Sequence, residues 1–169
     1  MIKTMEYHKL SYKKEPDAVR SEPIDLYWII FNGVKTHYVF DEAALKASSE
    51  KDGIYPIVIC GCDIIGCGGM YVTTFIDGDD IIWEKFWFGQ CVGEPDADDS
   101  LDSFAFIKNN VKEKDLIVKP PLRFKLNEYR ALADEIVNDL KTDPKREARN
   151  KQWYDETLKK YKAGDTARI

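Results

Sequence analysis

The hydrophobic pattern changes period along the chain. From Ile24 to Phe31 the residues are mostly aromatic or aliphatic, Asn32-Gly33 interrupts, and Val34 to Phe40 resumes. Asn-Gly takes positive φ readily at both positions, so the segment predicts an antiparallel hairpin with a two-residue turn. That turn places Ile30 opposite Lys35 and Trp28 opposite His37. Asp41 is placed to cap a short helix from Glu42 to about Lys51, ended near Gly53.

A meander comes next, with strands over Ile54 to Cys60, Met70 to Ile76 and Ile81 to Phe88. A four-residue turn at Asp77-Gly78-Asp79-Asp80 sets Met70 against Trp87, Val72 against Lys85 and Thr74 against Trp83. Trp83 and Trp87 then share one face with Met70, while Phe75, Phe86 and Phe88 share the other. Both faces are rich in apolar residues, so the sheet is expected to be covered on part of each. Residues 89–102 read as a polar loop, and a helix or turn is expected near Leu101 to Asn109. Leu116 to Val118 and Leu122 to Leu126 are short strands split by Pro120-Pro121, which assigns them to an edge.

The period then shifts to that of a helix. Asn127 is the expected cap, and Tyr129, Leu132, Ala133, Ile136, Val137 and Leu140 form one apolar stripe over 127–141. Asp143-Pro144 starts a last helix, with Asp at the cap and Pro at the first helical position. It runs to about Lys162, with few apolar residues. The pattern as a whole predicts an α+β fold: a mainly antiparallel sheet, made of a hairpin and a three-stranded meander, with one packed amphipathic helix and an outlying C-terminal helix. We divide the chain into a domain over 1–142 and a polar helical extension over 143–169.

Composition narrows the class. Of the 169 residues 44% are hydrophobic and 33% charged, a globular balance. No apolar run reaches the ~18 residues that span a bilayer, and the N-terminus lacks the apolar stretch of a signal peptide, so a cytoplasmic protein is expected. The net charge of −5 disfavours nucleic acid and anionic membranes as general partners. It is unevenly spread. Asp77 to Asp102 holds nine acidic residues against the single Lys85, whereas Lys145 to Ile169 holds eight basic and four acidic ones.

Candidate chemistry centres on two features. Cys60, Cys62, Cys67 and Cys91 fall at the same end of the meander, with Cys67 expected opposite Gln90 and Cys91 opposite Gly66. Four gathered thiolates would suit zinc. The Cys-x-Cys-x4-Cys spacing lacks the usual knuckle, however, and cysteine often serves as a small buried hydrophobe. Gly66, Gly68 and Gly69 allow positive φ or close backbone approach at a tight connection. They do not lead from a strand into a helix, so they do not form a phosphate loop. The second feature is the acidic set Asp77, Asp79, Asp80, Glu94, Asp96, Asp98, Asp99 and Asp102. The run from Glu94 lacks the central Gly and final Glu of a calcium-binding EF-hand loop. It reads as a solvated acidic surface or as one that meets a basic partner. There are two histidines, His37 in the hairpin and His8 in the N-terminal segment, and no hydrolase, zinc-protease or P-loop pattern. A thiol-dependent enzyme pairing Cys67 with His37 stays as a third reading.

The run Cys60-Gly61-Cys62 through Gly66-Cys67-Gly68-Gly69, with the strand carrying Ile82-Trp83-Glu84-Lys85-Phe86, resembles a group of uncharacterised bacterial proteins. These pair a Gly-Cys-Gly turn with a Val/Ile-x-Trp strand. The resemblance implies a bacterial or phage source and a structural role for the turn, and it carries no activity. In general type, a small acidic chain rich in aromatics is similar to the immunity proteins that neutralise toxic nucleases. The leading expectation is therefore a non-catalytic, acidic protein-binding module without a cofactor, its partner a basic protein such as a toxin. The alternatives are a cysteine-ligated zinc domain and a thiol-dependent enzyme.

Overall fold

A computed structural model of the chain describes residues 6–16, 24–61, 69–88, 113–146 and 148. The expected Asn-Gly hairpin is present. Asn32 and Gly33 take φ of 50° and 83°, and they join β2 (Asp25–Phe31) to β3 (Val34–Phe40). Ile30 pairs with Lys35 as expected, but Trp28 pairs with Val39, not His37. A bulge accounts for the shift. The Thr36 hydroxyl accepts from Tyr38 N at 3.2 Å and donates to Ile29 O at 2.9 Å, standing in for ladder bonds.

The sheet begins one strand earlier than the hydrophobic pattern indicates. β1 (Leu10–Pro16) pairs along the whole of β2. Its sequence carries Lys13, Lys14 and Glu15, which hid it. Just before β1, Tyr7 forms a parallel bridge with Arg123, and His8 N donates to Arg123 O at 2.8 Å. His8 therefore sits in a fixed place, stacked on Phe31 with ring centroids 5.2 Å apart.

The meander is β4 (Gly53–Cys60), β5 (Met70–Asp77) and β6 (Asp80–Phe88). Thr74 pairs with Trp83 as expected, but the register slips between Thr73 and Thr74, so Val72 pairs with Phe86 and Met70 with Phe88. Glu84 is the extra residue. The slip reverses the facing of the β6 residues beyond it. Trp83 and Phe86, not Trp83 and Trp87, are buried together, with centroids 6.4 Å apart. Trp87 turns to the other face, where its indole N–H donates to Thr73 Oγ1 at 2.8 Å.

β7 (Leu116–Ile117) and β8 (Leu122–Lys125) both run antiparallel to β6, one after the other. They make one interrupted edge strand. The break falls at Pro120-Pro121, which have no N–H for the ladder. The strand order is β1-β2-β3-β4-β5-β6 followed by β7 and β8. The sheet is not closed, and among the described residues its two edges meet at the Tyr7–Arg123 bridge.

Helix α1 (Glu42–Ser48) is capped by Asp41, whose side chain accepts from Ala44 N at 2.9 Å. It stops at Ser48, short of Lys51. The Ser48 and Ser49 hydroxyls donate to Leu45 O and Lys46 O, which competes with continuing the helix. Helix α2 (Leu126–Leu140) leaves β8 directly, so the N-cap is Lys125, not Asn127. Its Leu126 N–H is satisfied by Asp79 O at 2.8 Å. Leu126, Tyr129, Leu132, Ala133 and Ile136 are buried as the stripe requires, and Val137 and Leu140 are half-buried.

The five buried residues join Tyr27, Phe40, Leu45, Ile57, Val72, Ile81, Trp83, Phe86 and Phe124 in one core. A polar relay crosses it: Trp83 Nε1 donates to Tyr129 OH at 3.2 Å, and that hydroxyl lies 2.7 Å from Ser48 Oγ. Leu26, Val39 and Ile59 are buried in a second, smaller cluster. By strand alternation it lies on the opposite face, so apolar residues are covered on both faces as expected. Beyond α2, Asp143 Oδ1 accepts from Arg146 N at 3.2 Å, as the Asp-Pro cap predicts. The extension expected to lie outside the domain is tied into it at Arg146, which is 1% exposed. Residues 89–112, with the turn expected near Leu101, lie outside the described residues, as does the continuation towards Lys162.

Candidate functional site

The β5–β6 turn carries the described part of the acidic set. Asp77 pairs with Asp80 across Gly78-Asp79, and Gly78 has φ of 61°. The three carboxylates differ. Asp77 and Asp79 are exposed, and among the described residues neither has an ion-pair partner. Asp80 is half-buried and engaged. Arg123 Nε lies 3.0 Å from its Oδ2, and Tyr7 OH donates to its Oδ1 at 2.6 Å. The Arg123 guanidinium also lies over the Tyr7 ring, 3.8 Å from its centroid. Asp80 thus seals the seam between the sheet edges, its carboxylate engaged within the fold.

Beside this turn is a cleft of about 650 Å³ lined by Tyr7, Asp79, Lys125, Asn127, Arg130 and Asp134. Its cations are partly committed. Arg130 Nε donates to Ser49 O at 3.0 Å, and Lys125 Nζ lies 5.3 Å from the Tyr7 ring centroid. Asp134 takes a hydrogen bond of 2.7 Å from Lys46, which also pairs with Glu50 at 3.0 Å. Asp79 is the carboxylate shared by the turn and the cleft.

Cys60 is half-buried at the end of β4, paired in register with Tyr38. Cys62, Cys67 and Cys91 lie outside the described residues, as do Glu94, Asp96, Asp98, Asp99 and Asp102. Among the described residues no group of three or more His, Cys, Asp or Glu is placed to hold a metal ion. His37 is exposed on β3. Gly69 fulfils the close approach expected of the glycines: a Cβ there would lie 2.1 Å from Val58 O.

Two polar clusters escaped sequence reasoning. In the first, Lys14 Nζ and Tyr27 OH meet Asp139 Oδ2 at 2.8 and 2.7 Å, and Tyr12 OH donates to Glu135 at 3.0 Å. The hydrogen bond from Lys14, then that from Tyr27, hold the Asp139 carboxyl below its usual range. Burial, then the Glu135 carboxylate, push the Tyr12 phenol up to about 12. In the second, Arg146 meets Glu42, which is 2% exposed. The Asp143 cap fixes the phase of the following turn and was the available signal for Arg146. Nothing in the sequence names its partner. No family model, curated protein or solved structure matches the chain.

Proposed function

We propose that the chain is a non-catalytic protein-binding module that uses carboxylates of the β5–β6 turn, with the acidic run from Glu94 to Asp102, to meet a basic protein partner. A toxin such as a nuclease fits this chemistry, because carboxylates would stand where the toxin holds phosphates. The reading is supported above all by the exposed pair Asp77 and Asp79, which has no ion-pair partner among the described residues. Exposed like charges raise the rate of encounter with a cation-rich surface and add little to fold stability.

The test compares the parent with Asp77→Asn/Asp79→Asn and with Asp96→Asn/Asp98→Asn/Asp99→Asn. Capture of basic proteins is measured at low and high salt, beside thermal melts. Both variants should hold Tm within roughly 2–4 °C of the parent, as surface substitutions do. Both should capture less at low salt and lose part of the salt dependence. Equal capture by parent and variants would remove the acidic surface as the interface.

A further inference from the structure

The pair between Glu42 and Arg146 is more than one contact. Arg146 Nε donates to Glu42 Oε1 at 3.0 Å, its Nη2 donates to the same oxygen, and its Nη1 donates to the backbone carbonyl of Asp25 at 3.2 Å. The guanidinium carbon lies 5.8 Å from the Tyr27 ring centroid. Three separate nitrogens are used, spread as only a planar guanidinium spreads them. An ammonium is a point donor and does not reach a carboxylate and a carbonyl in this way.

Each receiving group has an anchor besides Arg146. Glu42 stands in the first turn of α1, whose start is fixed by Asp41. Asp25 opens β2 and pairs with Pro16. The Tyr27 ring is held at its hydroxyl by Asp139. The acceptor set therefore lies on α1 and β2, and Arg146 enters it from beyond α2.

We propose that Glu42, the Asp25 carbonyl and the Tyr27 ring form a guanidinium-binding site that the chain fills with its own Arg146, so that the C-terminal segment is held by a plug the site would also accept as a separate ligand. The site's ligand class is an alkylguanidinium. A buried carboxylate stripped of its cation is strongly destabilising, whereas a ligand that binds only the folded state restores stability by mass action.

The experiment is chemical rescue in the full chain. Arg146→Ala removes the plug and should lower Tm by roughly 10 °C. Ethylguanidinium at millimolar concentration should restore part of that loss, and ethylammonium at equal concentration should not. Arg146→Lys should resemble Arg146→Ala more than the parent. In Glu42→Gln/Arg146→Ala the rescue should vanish, because the anionic acceptor is gone. If Arg146→Ala does not fold, the readout becomes the yield of refolded protein with either cation. A parent-like Tm for Arg146→Ala would overturn the proposal. So would equal effects of the two cations, in Tm or in yield, or rescue that survives the loss of Glu42.

Discussion

Gly69 lies against β4 so closely that a Cβ would meet Val58 O at 2.1 Å and Ile59 Cα at 2.5 Å. Both are backbone atoms and cannot rotate away. At Gly61 the nearest atom, at 2.8 Å, is the outer end of the Trp28 indole. Gly69→Ala should therefore cost about 1–3 kcal/mol and Gly61→Ala clearly less, read from urea midpoints at constant m. Equal costs would show that the backbone does not approach as described. Gly69 was legible as part of a close connection, but which strand it approaches was not, since that depends on pairing. The acidic turn shows the same limit. Asp77, Asp79 and Asp80 are alike in the sequence, yet only Asp80 meets Arg123, because β8 returns beside β6. Glu42 and Arg146 are likewise ordinary helix-start residues until the chain folds them together.

Among the elements, the legible ones have strong local chemistry. The Asn-Gly turn, the Asp41 cap, the stripe of α2 and the proline break between β7 and β8 each have one dominant local cause. β1 was missed because its charged residues lie on an edge strand, where exposure is tolerated. The bulges at Thr36 and Glu84 carry no composition signal, and each shifts the pairing beyond it. Glu84 provides a direct test. Its deletion would leave Thr74–Trp83, Thr73–Lys85 and Val72–Phe86 paired in an unbroken ladder, so that Phe86 keeps its face. The deletion should therefore preserve a cooperative thermal transition and the near-ultraviolet dichroism of the tryptophans. Loss of either would mean that the bulge itself is needed to pack Phe86 beside Trp83 and Val72.

For the molecule as a whole, ionisable groups fasten α2 to the β1–β2 edge, so pH reports on that joint. The folded pKa of Asp139 is lowered, first by Lys14. Its contribution is present above the unfolded carboxylate range and is lost as pH falls through the folded value. Tyr12 has the opposite sign. Its folded pKa is raised from 10.0 to about 12, so the unfolded chain ionises first on the way up. That contribution is complete below 10.0 and declines towards 12. Asp139→Asn should flatten the acid limb of stability against pH, and Tyr12→Phe the alkaline limb. Denaturant midpoints across the pH range give the measurement, and parallel limbs in parent and variant would remove that group from the joint.

The same scale decides whether metal holds the fold. Among the described residues the apolar core runs from β2 through α1 and α2 to β8 without drawing on a cysteine, and a buried relay joins Ser48, Tyr129 and Trp83 within it. Folding free energy in small zinc domains comes largely from the ion, because their cores are too small to suffice. The described residues build their core from α1, α2 and most of the sheet, which supports a fold that does not depend on metal. Chelation of the purified protein should leave Tm unchanged, and elemental analysis should find no stoichiometric zinc. A melt that collapses on chelation and returns with added zinc would reverse this. Cys60, Cys62, Cys67 and Cys91 would then be ligands whose geometry holds the end of the meander, and the zinc-domain reading would replace the acidic binding module.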